Sequence, residues 1–361
     1  MSNMNEAELL RYSRHIRMPE IGLAGQEKFS AARVLVVGAG GLGCPAIQYL
    51  AAAGVGCIGV VDFDVVEESN LQRQILFGTS DIGKPKALCV QEKIAQLNPH
   101  VLVKAHPIRL TESNALSVLT DYDLIIDGSD NFQTRYLVSD TTVILKKPLV
   151  FGSVYKFEGQ VSVFNYREGP TYRCLYPEPG ELGSCAEVGV LGVLPGTIGC
   201  MMATEALKII SGVGEVLAGK LLVYDALKGQ SSVFSFPATE ANKHITAILP
   251  FSGQCDNVLS ETEARDLLLL MKSRTKHFIL DVREPSEYAQ YNIGGVLIPL
   301  GQLKENLERI PRDIPVIVHC QSGIRSRKAL TLLKEEGFNN VSNLRGGIMS
   351  VRQEQQAGPG L

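Results

Sequence analysis

The 361-residue chain has almost no charge imbalance, no C-x-x-C pair, no leader-like N-terminus and no internal repeat or low-complexity tract. A formal net charge of −3 offers no basic field for a phosphate backbone, which excludes broad nucleic-acid binding. The N-terminus, MSNMNEAELLRYSRHIR, holds no apolar stretch of leader type. Charged or polar residues interrupt the apolar runs elsewhere, so neither export nor a membrane span is expected. The eight cysteines (Cys44, Cys57, Cys89, Cys174, Cys185, Cys200, Cys255 and Cys320) are scattered. That argues against a disulfide framework and for free thiols in a reducing, cytoplasmic setting. What remains is an ordinary globular composition, 45% hydrophobic and 20% charged, on a chain long enough for two domains.

Between residues 33 and 150, short β-branched runs alternate with helical patterns: ARVLVVGAG, then CPAIQYLAAAGV, then CIGVVDFD, then KPKALCVQEKIAQLN, and on to YDLIIDGSD. Such alternation predicts an α/β fold with a Rossmann-like, doubly wound, mostly parallel sheet. KPLVFGSVYKFEGQVSVFN and GKLLVYDALKGQSSVFSF predict an antiparallel extension, with GVLPGTIGCMMATEALKIISG as a buried helix between them. Periodicity is lost over residues 238–257, where Pro, Gly, Asn and Ser mark a linker. A second, smaller α/β pattern follows, opening on a helix capped by Ser260 with Glu263 three residues on.

The first site candidate is Gly38-Ala39-Gly40-Gly41-Leu42-Gly43 between a strand and a helix, with Asp62 closing the next strand. Glycines let the backbone approach phosphate oxygens, and the helix end supplies N–H donors, so NAD, FAD and ATP all suit the loop. Residues further along choose between them. Asn70, Arg73 and Gln74 stand just past the second strand, Lys86 opens the next helix, and Asp130 and Asn131 end a later strand. Attack at an α-phosphate needs cations against developing charge and a carboxylate for Mg²⁺. Arg73 and Lys86 supply the first and Asp130 the second; any one of them alone reads as a solvated surface charge.

RYSRHIRMPEIGLAGQEKF, VLVVGAGGLGCPAIQYLAAAGVG, SNLQRQILF, DNFQTRYLV and YRCLYPEPG together resemble the MoeB/ThiF family, over roughly residues 5–237. The resemblance implies Mg-ATP-dependent adenylation of the C-terminal Gly-Gly of a ubiquitin-like sulfur-carrier protein. It implies Gly38, Gly40, Gly41 and Gly43 around the phosphates and Asp62 on the ribose. It sets Asn70, Arg73, Lys86 and Asn131 about the nucleotide, and Asp130 with the metal. Arg14 resembles the family's arginine that enters the other subunit's site, which implies a homodimer. Cys185, in GELGSCAEVG, matches a family cysteine that takes part in acyl or sulfur transfer. Family members also carry two C-x-x-C pairs on a structural zinc. Here Thr171 replaces one cysteine beside Cys174, residues 238–250 hold none, and Cys255 is isolated. No zinc is expected, and an apolar or hydrogen-bonded closure is expected instead.

The second site candidate is VIVHCQSGIRSRKAL, where a strand ends at Cys320 and a helix follows. Loop amides, a helix N-terminus and Arg325 all favour thiolate over thiol. With HFILDVREPSEYAQYNIGGVLIPL, the loop resembles the rhodanese family over roughly residues 258–350. Cys320-x4-Arg325 has the narrower loop size of sulfurtransferases. The resemblance implies a persulfide on Cys320, with Asp281 and Arg283 fixing the loop; YNIGGV departs from the family's usual GHIPGA.

The expected layout is an adenylation domain over 1–240, a linker over 241–257 and a rhodanese-like domain over 258–361. One domain would activate the carrier and the other would supply sulfur from thiosulfate or a persulfide-loaded desulfurase. The thiocarboxylate product would serve molybdopterin, thiamine or other thio-metabolite synthesis. Two readings compete. One is a protein-conjugation activating enzyme with a Cys185 thioester and a non-catalytic rhodanese module. The other is an NAD-dependent oxidoreductase fused to a binding module.

Overall fold

A computed structural model of the chain describes residues 4–177, 189–249, 261–272 and 276–356. Cys185, Cys255 and Ser260 lie outside these residues. The chain divides into two compact units, Met1–Gly253 and Gln254–Leu361.

The first unit opens with α1 (Glu6–Arg11), α2 (Ser13–Ile16) and α3 (Gly22–Ala31). The parallel core follows: β1 (Arg33–Val37), α4 (Gly43–Ala53), β2 (Cys57–Val61), α5 (Lys86–Leu97), β3 (Leu102–His106), α6 (Ala115–Thr120), β4 (Leu124–Asp127), α7 (Phe132–Ile144) and β5 (Leu149–Tyr155). The chain then adds β6 (Glu158–Phe164), α8 (Tyr172–Leu175), α9 (Val193–Ser211), β7 (Lys220–Asp225), β8 (Gln230–Ser235) and α10 (Glu240–Lys243). The sheet order is β3-β2-β1-β4-β5-β6-β7-β8, parallel through β5 and antiparallel beyond it.

Strand alternation builds two cores at once. Val34 and Val36 of β1 face a cluster with Ile58, Ile126, Ile198 and Met202. Leu35 and Val37 face the other side with Ile125, Leu149, Phe151 and Tyr136. Connections from β1 run outward through β2 to β3, and the chain then returns to β4 on the other flank of β1. The reversal opens a crevice at the carboxyl ends of β1 and β4, where open α/β sheets bind ligands.

The helix expected to be buried between the antiparallel strands is α9. α9 is long and apolar enough to cross a membrane by length and composition. It packs instead within the first unit, burying Ile198, Met202, Ala203 and Ala206. Its charged residues, Glu205 and Lys208, pair with each other.

The second unit holds β9 (Glu261–Thr262), α11 (Ala264–Lys272), β10 (Phe278–Asp281), α12 (Pro285–Gln290), β11 (Val296–Leu297), β12 (Val316–His319), α13 (Ile324–Glu335), β13 (Val341–Leu344) and α14 (Gly347–Gln356). Its five strands are all parallel, in the order β11-β10-β12-β13-β9. Leu280, Val316 and Val318 pack on Leu330 and Leu333 of α13, while Ile279, Ile317 and Leu344 pack on Leu267 and Val351.

Candidate active sites

β1 ends at Gly38, whose φ of +91° only glycine holds without strain. The turn into α4 is so close that a Cβ on Gly43 would lie 1.9 Å from the Gly38 carbonyl oxygen. A Cβ on Gly38 would lie 3.0 Å from the carbonyl oxygen of Gly128, in the loop after β4. One on Gly41 would lie 2.9 Å from Pro195 of α9 and 3.4 Å from Arg73. At Gly40 the space is more open, with Gln74 Nε2 at 3.9 Å. Gly38 and Gly43 therefore serve the turn itself, whereas Gly40 and Gly41 form its accessible rim.

Asp62 closes β2 and turns back onto this loop. Its carboxylate accepts from the Ala39 amide at 2.8 Å and the Asp64 amide at 2.9 Å. Burial pushes its pKa up, opposed by Lys86 and the two amides. Lys86 begins α5, is 6% exposed, and has its ammonium 3.4 Å from Asp64 Oδ2. Arg73 is half-buried and donates to the Ser69 carbonyl at 3.0 Å. Buried Asn70 accepts from the Glu67 amide at 3.2 Å. Asp130 is exposed in the loop after β4. Asn131 caps α7, its side chain accepting from Thr134 N at 2.9 Å.

Three residues escape a motif search. Asp64 is the partner of Lys86. Asp127, buried at the end of β4, accepts from Ser129 N at 2.9 Å. Arg135, 7% exposed, donates to the Ser129 carbonyl at 3.2 Å and lies against the rings of Phe132 and Phe151. Together Asp127 and Arg135 hold the loop that carries Asp130. The one signal for Arg135 was a charge four residues past Asn131 on an otherwise uncharged helix start.

Arg14 sits apart from its own chain's glycine loop. Its neighbours Tyr12 and His15 attach to the far end of α4. Tyr12 packs on Gly54, and His15 bonds Gln26, which donates to the Ala53 carbonyl at 2.8 Å. The 11 residues of α4 put about 16 Å between that end and the glycine loop.

Around Cys174 the donor set does not suit zinc, which wants four thiolates or imidazoles. The sulfur is held by Thr171 N and Oγ1, both at 3.4 Å, and by Thr239 N at 3.2 Å. Burial works against the thiolate, but the Thr171 hydroxyl, the Thr239 and Thr171 amides and the Asn242 side chain outweigh it and lower the pKa. Beside this node, Asp140 binds Arg173 through two bonds of 2.7 and 2.9 Å and accepts from Leu249 N at 3.1 Å. The rings of Phe151, Phe164, Tyr172 and Tyr176 pack together above them. The segment 239–249 is thus tied back onto the first unit.

In the second unit, β12 ends at buried Cys320 and Gly323, at φ +94°, turns the chain into α13. The Cys320 sulfur accepts from Gly323 N at 3.2 Å and from the Ser326 hydroxyl at 3.4 Å. Burial again opposes the anion; Ser326, through hydroxyl and amide, and the Ser322 and Gly323 amides overcome it and hold the thiol below its ordinary range. Arg325 does not point its charge freely at the sulfur. Its guanidinium makes two 2.6 Å bonds to Glu287 of α12, and this pairing lowers the Glu287 carboxyl to about 2. Neither Glu287 nor Ser326 was marked by sequence reasoning, since nothing in linear order sets Glu287 opposite Arg325.

Beneath the loop, Asp281 binds Arg283 at 2.7 Å, and Arg283 also donates to Tyr291 O at 2.8 Å. Both are buried, as the structural reading of this pair requires. His319 lies 3.7 Å from Asp281, too far for a hydrogen bond, and burial pushes its pKa down.

The ThiF family model matches residues 12–247, and the rhodanese-like domain model matches residues 263–354. The chain is 43% identical over 375 residues to the probable adenylyltransferase/sulfurtransferase MoeZ of Mycobacterium tuberculosis, covering 98% of this chain and 95% of that protein. It is 56% identical over 229 residues to the sulfur carrier protein adenylyltransferase of Thermus thermophilus, covering 61% of this chain and 84% of that one. Among solved structures, E. coli MccB superposes with a TM-score of 0.58 at 18% identity, over 66% of this chain and 72% of MccB. At that identity the likeness speaks for the fold alone.

Proposed function

The chain belongs to the ThiF family and carries a rhodanese-like domain behind it, and from that premise we propose a two-step enzyme. It adenylates the C-terminal Gly-Gly carboxylate of a ubiquitin-like sulfur-carrier protein and then converts it to a thiocarboxylate with sulfur from Cys320.

The observation that carries the first step is Lys86, a nearly buried ammonium paired with Asp64 and opposing the burial that raises the carboxyl of Asp62 beside the glycine loop. A dinucleotide needs no such charge, whereas a triphosphate under attack does. Mg-ATP enters as substrate. Asp62 orients the ribose, the Gly40–Gly41 rim receives the phosphates, and Asp130 contributes a carboxylate to the ATP-bound Mg²⁺, which commonly takes one or two from protein. The carrier carboxylate attacks the α-phosphorus and pyrophosphate departs with its charge met by Arg73 and Lys86. The attacking group is already ionised, so alignment and charge neutralisation suffice. Arg14, remote from its own loop, serves the site of a second copy, which makes the working form a homodimer.

For the second step, the persulfide anion on Cys320 attacks the acyl-adenylate carbonyl and AMP leaves. A second thiol, assigned to Cys185, then displaces the thiocarboxylate from the resulting acyl disulfide. The protein disulfide left behind is reset by a cellular thiol, which suits a cytoplasmic setting.

The test is ATP–pyrophosphate exchange with a small carrier ending in Gly-Gly. Exchange that requires the terminal glycines, followed by one O-to-S mass change on the carrier, supports the reading. Tight NADH binding with no exchange for any such carrier overturns it.

A further inference from the structure

The charge balance of the Cys320 loop bears on which sulfur compound can load it. Transfer from thiosulfate brings a dianion to a thiolate: the Cys320 sulfur attacks the outer sulfur, the S–S bond breaks with its electron pair, and sulfite leaves. Three negative charges then gather at one loop, and only an unpaired cation nearby would offset them. Transfer from a persulfide, R–S–S–H, is less demanding. The thiolate bonds the terminal sulfur, R–S⁻ leaves and takes up the proton as R–SH, and one negative charge remains on Cys320–S–S⁻.

The arginines beside the loop are already committed. Arg325 is held in two 2.6 Å bonds by Glu287, with side chains 34% and 30% exposed. Arg283 is bound by Asp281 beneath the loop, and Arg327 by Glu261 at 2.8 Å. Lys328 is exposed on α13, where water and salt screen it. The sulfur is therefore stabilised by dipoles, the Gly323 amide and the Ser326 hydroxyl, and not by net positive charge. Dipoles of this strength suit a monoanion.

Resting on the sulfurtransferase reading above, we propose that Glu287 determines the sulfur donor. By neutralising Arg325 it adapts the Cys320 loop to a persulfide of a thiol or of a donor protein and against the thiosulfate dianion.

The experiment follows mass gain of one sulfur on Cys320 in the full chain under single-turnover conditions, with cysteine persulfide or thiosulfate as donor. In the native protein kcat/KM for cysteine persulfide should exceed that for thiosulfate about a hundredfold, the scale set by one uncompensated charge pair in a partly screened site. Glu287→Gln keeps an oxygen for the Glu284 amide but frees the guanidinium. Thiosulfate KM should then fall about tenfold and become salt-dependent, with the persulfide arm within about threefold of native. Glu287→Asp should restore the native preference. If native protein loads both donors within tenfold, or if Glu287→Gln leaves their ratio unchanged, the inference fails while the sulfurtransferase reading stands. If Glu287→Gln loses both arms together, Glu287 is loop scaffold and the selectivity claim is overturned. If neither donor loads native Cys320, the sulfurtransferase reading itself falls.

Discussion

Both sites stand on one kind of scaffold, a parallel strand whose end turns through glycine into a helix, yet they distribute their chemistry differently. The proposed nucleotide crevice draws Gly40, Asp62, Arg73, Lys86 and Asp130 from the segments that follow three strands, β1, β2 and β4, and these meet only because those strands are neighbours. The cysteine loop keeps its sulfur ligands within seven residues, Cys320 to Ser326, and borrows Glu287 as the outside restraint. A triphosphate is long and highly charged, so its site must span a crevice with spaced cations. One sulfur anion is small, and the amides of a single turn can surround it.

The sharpest test of this contrast is to silence one site and read the other. Cys320→Ala should remove thiocarboxylate formation altogether while ATP–pyrophosphate exchange stays within about twofold, because the lost group is the nucleophile itself. Loss of exchange as well would mean the two sites are not independent. Lys86→Ala should lower exchange about 10²–10³-fold with persulfide loading of Cys320 unchanged, in keeping with removal of one electrostatic stabiliser.

Ser326→Ala probes the smaller site from within. Alkylation of Cys320 by iodoacetamide at neutral pH should slow about tenfold, the effect of one lost hydrogen bond to an anion, and its pH midpoint should move upward. No second midpoint should come from the Arg325–Glu287 pair. Glu287 is lowered to about 2, so the stability it contributes is complete above the ordinary carboxylate range and is lost only as pH falls through that value. A midpoint that stays in place in Ser326→Ala would show that the amides alone hold the thiolate.

The smallest effects belong to the hydrogen-bonded closure around Cys174 in the first unit. A chelator should leave Tm unchanged and zinc should be far below one equivalent per chain. Cys174→Val should cost about 1–2 kcal/mol, seen as a Tm fall of a few degrees, because Thr171 and Thr239 lose their partner. A large Tm drop on chelation would overturn this account of Cys174.

Most residues of the proposed first site were marked in order along the chain. Spacing marked the glycines, Asp62, Asn70, Arg73, Lys86 and Asp130 because strand ends recur at intervals set by the βα unit. The balancing residues were not legible. Asp64 opposite Lys86, Arg135 beneath the loop of Asp130 and Glu287 opposite Arg325 are ordinary charges in linear view. They become specific only through contact. The apolar stretch of α9, by contrast, read as a buried helix from its composition, and it packs as one.

The amino-acid order alone determined the alternation of strands and helices, the turns that demand glycine, and the cysteine at a strand end with its loop length. These are local consequences of backbone sterics and period. The tertiary structure decided which charges are neutralised and which stay available: that Arg325 is paired, that Lys86 is nearly buried, that Arg14 lies a helix length from its own loop. Electrostatic strength depends on distance and burial between residues far apart in the chain, and only folding sets those.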